Sequence, residues 1–212
     1  MSRWAAREAM QGRILDTAGR LFYGQGIRAV GVDTIAAEIG ISKRTLYNYF
    51  PSKDELVVAY LSRHCIPPKT SDRPLLEQIL YMFDWLERWF ASDTFRGCRF
   101  VNAIAELGDA AHPGTKIAVA FKEQRRLWLR DALTRLNAAD PDALATQIAI
   151  LAEGAIIAAL VRGDPGMAAA AKAAARVLLT AAGIDDADAA PLPTGHAAPR
   201  RRPRRVTRGA RT

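Results

Sequence analysis

The nineteen residues from Val32 to Phe50, VDTIAAEIGISKRTLYNYF, constrain the fold more than any other part of the chain. Val32, Ile35, Ala36 and Ile39 recur at helical spacing, which predicts a short helix that buries one apolar stripe. Gly40 stands where a helix end wants a residue able to adopt positive φ. Ile41 can then plug into the core, and Ser42 can cap a second helix by accepting from its free N–H groups. In that second helix Leu46 and Phe50 lie four apart and share the inward face. Lys43 and Tyr47, also four apart, point elsewhere, with Arg44, Thr45, Asn48 and Tyr49 around them. Side chains of that reach suit the floor and walls of a DNA major groove, so the pattern is a helix-turn-helix with its second helix as the reader. A packed helical hairpin whose Tyr and Lys residues are merely surface is the plainer alternative.

The longer motif is more specific than a bare helix-turn-helix. It comprises Ile35-Ala36, Gly40-Ile41-Ser42, Thr45-Leu46-Tyr47, Tyr49-Phe50 and Ser52-Lys53 through Leu56, preceded by Ala18, Leu21, Phe22, Gly24, Gly26 and Ile27. This string resembles the TetR family of transcriptional regulators. The resemblance is strong over about residues 10–57, holds only in outline for the rest of the helical chain, and does not reach the C-terminal tail. It implies that Thr45 and Tyr47 contact bases or backbone, that Tyr49 meets a phosphate, and that Lys53 meets another. Lys43 and Arg44 fall at the variable positions that set sequence preference. An Arg there favours guanine, because its fork matches O6 and N7; a phosphate contact for Arg44 stays equally open. Asn48 has the chemistry to read adenine, at a less favourable angle. At Val30-Gly31 the chain departs from the family, whose members usually carry Thr or Ser there to cap the second helix and touch a phosphate. Gly caps tolerably, and Thr34 can donate to a phosphate in compensation, whereas Asp33 would repel one.

Charge follows the same division. Residues 1–63 hold nine Lys or Arg against six acids, residues 64–194 fourteen against sixteen, and the last eighteen residues seven Arg and no acid. The basic character lies in the reading head and the tail, and the middle is not a nucleic-acid surface. Half of the residues are apolar and fall at helical spacing, so an all-α protein is expected. No continuous apolar run reaches the eighteen or so residues of a membrane span, and the N-terminus lacks a signal-peptide core. A cytoplasmic protein without a membrane partner is the expectation. Cys65 and Cys98 have neither CxxC spacing nor a nearby His pair, which argues against zinc or a disulfide framework.

Along the chain, residues 3–23 predict a first helix with Ala6, Ile14, Ala18, Leu21 and Phe22 buried, ended by Gly24 and Gly26. Arg3 and Arg7 precede its packed part, either reaching phosphates or simply solvated. The reading helix spans about Lys43 to Phe50. Ser52 and Glu55 form a capping box for a fourth helix to about His64, with Leu56, Val57, Tyr60 and Leu61 inward. Cys65 through Ser71, with Pro67-Pro68, then breaks the chain. The expected domains are a DNA-binding head at 1–64, a ligand-binding and dimerisation body at 65–183, and a disordered Arg-rich tail at 184–212, whose arginines either add salt-sensitive DNA affinity or are simply solvated.

In the body, residues 72–92 form the densest aromatic stretch. Leu76, Ile79, Leu80, Phe83, Leu86 and Phe90 make one stripe, and Tyr81, Trp85 and Trp89 a second. A helix apolar on two faces is buried or borders a cavity. Cys98 and Asn102, four apart, can face one cavity, and Cys98 beside Arg96 and Arg99 is a candidate redox-sensitive thiol or an inert core residue. His112 before Pro113-Gly114 reads as a loop residue. A long helix over about Thr115–Leu136 turns Ile117, Phe121, Trp128 and Leu129 inward, with Gln124 one turn before Trp128. Asp140-Pro141 starts the next helix, to about Val161, with Leu144, Ile148, Leu151, Ala155, Ile156, Ala159 and Leu160 inward. The last helix, about Pro165–Ala182, is mostly Ala. The ligand-binding set is therefore Tyr81, Trp85, Trp89, Cys98, Asn102, Gln124 and Trp128, each of which has core packing as its plainer role.

By resemblance, the last two helices pair with their copies in a four-helix homodimer interface; an intramolecular hairpin is the alternative. The expected partners are double-stranded operator DNA and a small-molecule effector, with no cofactor. The expected fold is all-α, a three-helix head on a larger helical body. The expected role is a ligand-responsive regulator acting as a repressor, with a redox-responsive or ligand-independent DNA binder as the alternative. No nucleophile–base pairing, metal-ligand spacing or phosphate loop suggests an enzyme.

Overall fold

The computed structural model describes residues 2–66 and 72–185, apart from the side chain of Arg3. These residues fold into helices joined by short turns, with no strand among them. The head holds α1 (Arg3–Gln25), α2 (Val32–Ile39) and α3 (Lys43–Tyr47), and α4 (Lys53–His64) leads out of it. The body holds α5 (Leu75–Phe90), α6 (Arg99–Leu107), α7 (Pro113–Arg135), α8 (Pro141–Arg162) and α9 (Met167–Ala181). Helix α4 packs on α1 on one side and on α7 on the other, so it carries the head on the body. Within the body α7, α8 and α9 pack in sequence, while α5 lies against α8 and α9 and α6 against α7.

The local signals explain most boundaries. Ser2 caps α1 by accepting from Ala5 N at 3.2 Å, a cap that the sequence reading missed although Ser before a helical run is its ordinary signal. Gly24 does not end α1, which runs on to Gln25 and is ended by Gly26 at φ 99°. Ala6 is exposed, because the apolar packing of α1 begins only at about Met10. Ser52 caps α4 by accepting from Glu55 N at 3.1 Å, and Asp140 caps α8 by accepting from Ala143 N at 3.1 Å. The head core is Ile14, Ala18, Leu21, Phe22, Ile35, Leu46, Phe50, Leu56 and Tyr60, all buried.

Other expectations are corrected in the body. Helix α8 is 22 residues long and contains an 18-residue window of mean hydropathy 2.0, enough by length and composition to cross a membrane. Gln147 and Glu153 interrupt a continuous apolar run, which is why the sequence reading excluded one, but the average over Ala, Ile and Leu stays high. In this fold α8 packs between α7 and α9, and Glu153 pairs with Lys122 of α7. Leu160, expected inward, is exposed on α8 together with Ile150, Ile157 and Val161. Ile184, placed in the tail by the sequence reading, is buried: its N–H bonds Leu179 O at 3.0 Å after Gly183 turns the chain at φ 79°. The Arg-rich tail itself and the Pro67-Pro68 break lie outside the described residues.

Candidate nucleic-acid interface

The reading helix is built by its turn. Gly40 adopts φ 78°, ψ 34°, so its N–H reaches Ala37 O at 3.1 Å while Ile41 N reaches Ala36 O at 3.0 Å. This pair of bonds is the Schellman arrangement, which satisfies the last carbonyls of α2 and reverses the chain. Ile41 then packs half-buried against the core, and Ser42 Oγ accepts from Thr45 N at 3.0 Å to open α3. Helix α3 ends at Tyr47, shorter than the predicted Lys43–Phe50. Beyond it Tyr49 N and Phe50 N both bond Leu46 O, a tight final turn. Pro51 disfavours the α conformation at Phe50, so the helix cannot resume there.

Leu46 is fully buried and Phe50 nearly so, and they anchor α3. The face they leave outward carries Lys43, Arg44, Tyr47 and Asn48, all exposed. Tyr47 is an exposed aromatic on an otherwise polar helix face, which core packing does not explain. Thr45 is half-buried with its Oγ1 2.8 Å from Ser42 Oγ, so its hydroxyl is shared with the cap. Thr34 is exposed on the first turn of α2, and Gly31 before it supplies no side-chain cap. Tyr49 and Lys53 are half-buried at the end of the unit.

Two contacts set the electrostatics of this face. Lys43 Nζ donates to Asp33 Oδ2 at 2.9 Å, and this bond, with the Asp33 charge, raises the Lys43 pKa above its ordinary value. Asp33 thus engages the cation that stands first on the reading helix. Arg7 lies over the Tyr49 ring, 5.0 Å from its centre, and its Nη2 donates to Asn48 O at 3.3 Å. A cation–π contact and a carbonyl together fix the guanidinium beside the C-terminal end of α3. Sequence reasoning left Arg7 between phosphate contact and plain solvation; only the fold brings it to Tyr49.

The expected ligand set is dispersed by comparison. Tyr81 and Trp85 are exposed on α5, Tyr81 between the guanidiniums of Arg73 and Arg88, and Trp85 stacked on Trp89 at 5.3 Å. Trp89 is half-buried and meets Phe95 edge-on at 5.0 Å. Cys98 is a buried free thiol and the N-cap residue of α6, and Asn102 Nδ2 donates to Arg96 O at 3.0 Å. Gln124 is exposed on α7, away from the enclosed position expected of it, because the α7 face one turn before Trp128 looks to solvent. Trp128 is half-buried against the core. His112, read as a loop residue, caps α7: its Nδ1 accepts from Gly114 N at 2.9 Å.

A short reading helix on a Schellman turn, mounted through α4 on a helical body, is the architecture of a helix-turn-helix regulator. Comparison with known proteins agrees. The family model of bacterial regulatory proteins of the tetR family matches residues 14–60. A TetR-type transcriptional regulator from Streptomyces avermitilis superposes with a TM-score of 0.74 at 32% identity, over 82% of this chain and 98% of that one. A TetR-family regulator from Streptomyces coelicolor superposes with a TM-score of 0.72 at 28% identity, over 81% and 94%. The transcriptional activator FasR of Mycolicibacterium smegmatis is 43% identical over 58 residues, 27% of this chain and 26% of FasR. The chain therefore matches about a quarter of FasR's length, and nothing of FasR's wider activity follows from it. The chain belongs to the TetR family of bacterial regulatory proteins. Its relatives are transcriptional regulators and not enzymes.

Proposed function

We propose that this chain is a ligand-responsive transcriptional repressor that reads a pseudo-palindromic operator as a homodimer, in the cytoplasm where its DNA lies. The observation that carries this reading is the outward face of α3. Lys43, Arg44, Tyr47 and Asn48 stand exposed on a helix that buried Leu46 and Phe50 hold in place. Thr34, Thr45, Tyr49 and Lys53 complete the contact set around it, with Arg7 fixed alongside. Two such heads would enter successive major grooves.

Dimerisation is supported by the exposed apolar line Ile150, Ile157 and Val161 on α8 and by Val177 on α9. Gly154 sits in the same line with no atom within 4 Å of where a Cβ would stand, so a second helix can approach closely. The effector site belongs to the body, with the less exposed members of the expected set, Trp89, Cys98, Asn102 and Trp128, as candidate walls. An effector would act by preferring the conformation whose heads no longer fit the half-site spacing.

The test is selection of random duplex DNA by the full chain beside Tyr47→Ala. A palindromic consensus is expected for the natural sequence, with affinity for it reduced about tenfold or more in Tyr47→Ala, the scale of a lost base or phosphate contact. The absence of any consensus would remove the specific-regulator reading.

A further inference from the structure

The junction of head and body contains a groove of about 440 Å³ that neither the reading face nor the expected effector set uses. From the head it is lined by Arg20, Tyr23, Arg63 and His64, and from the body by Asp93, Arg96 and Arg99 among others. Two of its four arginines are already matched, Arg20 by Glu38 at 2.5 Å and Arg63 by Asp16 at 2.9 Å. Arg96 and Arg99 form no ion pair with any described residue. Arg96 uses Nη1 on the carbonyls of Phe95 at 2.7 Å and Asp93 at 3.3 Å. The Arg99 guanidinium lies over the rings of Tyr23 and Tyr60, 4.7 and 6.0 Å from their centres.

Flanking rings hold a guanidinium in place; one Arg99 donor is engaged by the Tyr60 hydroxyl, and the others are left for a ligand. A concave site with excess charge of one sign and protein walls concentrates the opposite charge. The neighbouring imidazole senses the same field: burial first, and then the positive charges of Arg99 and Arg63, hold the His64 pKa below its ordinary value.

We propose that this groove binds a small organic anion through a carboxylate or a phosphate, with Arg99 and Arg96 of the body as its unpaired cationic contacts and Arg63 of the head, shared with the groove's own Asp16, as a third. The guanidinium fork matches either group with two parallel hydrogen bonds. Because both units contribute, a bound anion ties the head to the body in one orientation. Its consequence for operator affinity rests on the regulator reading above, whereas binding itself does not.

The test uses the full chain, with succinate and inorganic phosphate as separate probes, each against sodium chloride at matched ionic strength. Titration calorimetry and thermal unfolding are the readouts. At least one probe is expected to bind saturably and to raise Tm by about 5 °C or more near saturation. Whichever probe succeeds identifies the recognised group. Arg99→Gln and Arg96→Gln are each expected to weaken binding about tenfold or more, while Arg130→Gln, on the exposed side of α7 beside Asp131, leaves it unchanged. The Arg96 side chain hydrogen-bonds only carbonyls, so its variant decides the matter should Arg99→Gln fail to fold. A Tm rise no larger than that in chloride, or natural affinity in Arg96→Gln, overturns the site. Binding that leaves operator affinity unchanged keeps the site and removes its regulatory role.

Discussion

Leu46 and Tyr47 are neighbours with opposite fates, one fully enclosed and the other standing out of α3. The enclosed residue holds the helix, and the exposed one is the proposed DNA contact. Leu46→Ala should lower unfolding stability by about 2–5 kcal/mol, since it opens a cavity in a small core; chemical denaturation of the full chain measures it, and a change near zero would mean that the head core tolerates the loss. Asp33 presents a different balance. Its carboxylate occupies Lys43 in the free protein, so Asp33→Asn should release that amine to phosphate. DNA affinity should then rise, and the slope of log K against log salt should steepen by about one, the value of one more phosphate contact. An unchanged slope would show that Lys43 never reaches the backbone. The pair is exposed on both sides, so no stability change of note is expected from breaking it.

At the scale of the helix, the proposed dimer rests on the exposed apolar line of α8 and α9. Ile157 is half exposed in the middle of the α8 line, and Ile157→Glu should shift the chain from dimer to monomer in sedimentation velocity without loss of helicity. A dimer that survives this change would place the interface elsewhere. The turn from α2 to α3 was legible in the sequence because its signals are local: Gly40 for positive φ, Ser42 for the cap, Leu46 and Phe50 for the anchor. The second aromatic stripe of α5 was not, because helical spacing says which residues share a face and nothing of what covers that face. Tyr81, Trp85 and Gln124 share this difficulty. The arginine groove was illegible for the opposite reason, since Arg63, Arg96 and Arg99 meet only when α4 and the turn into α6 are brought together. Leu160 failed similarly, as an apolar residue on a helix that is apolar nearly all round.

Over the whole molecule, stability is tied to pH through the joint between head and body. His64 lies in that joint with Nδ1 2.8 Å from Tyr60 O, and its folded-state pKa lies below the ordinary 6.5. The folded chain binds this proton less readily than the unfolded chain does. Its contribution is therefore complete above about pH 6.5 and is lost as pH falls from there through the folded value. Tm should decline below pH 6.5 more steeply in the natural chain than in His64→Gln; equal slopes would assign the decline to other groups. The same joint holds the Tyr23 hydroxyl, which accepts from Arg96 N at 2.9 Å and donates to Gly97 O at 2.8 Å. Burial raises the Tyr23 phenol above its usual range, so it keeps the proton that the second bond needs. In mechanical terms that one oxygen is a pin through two plates: tilting the head strains both bonds together, and neither can slip alone. Such a joint resists small rotations of the head against the body.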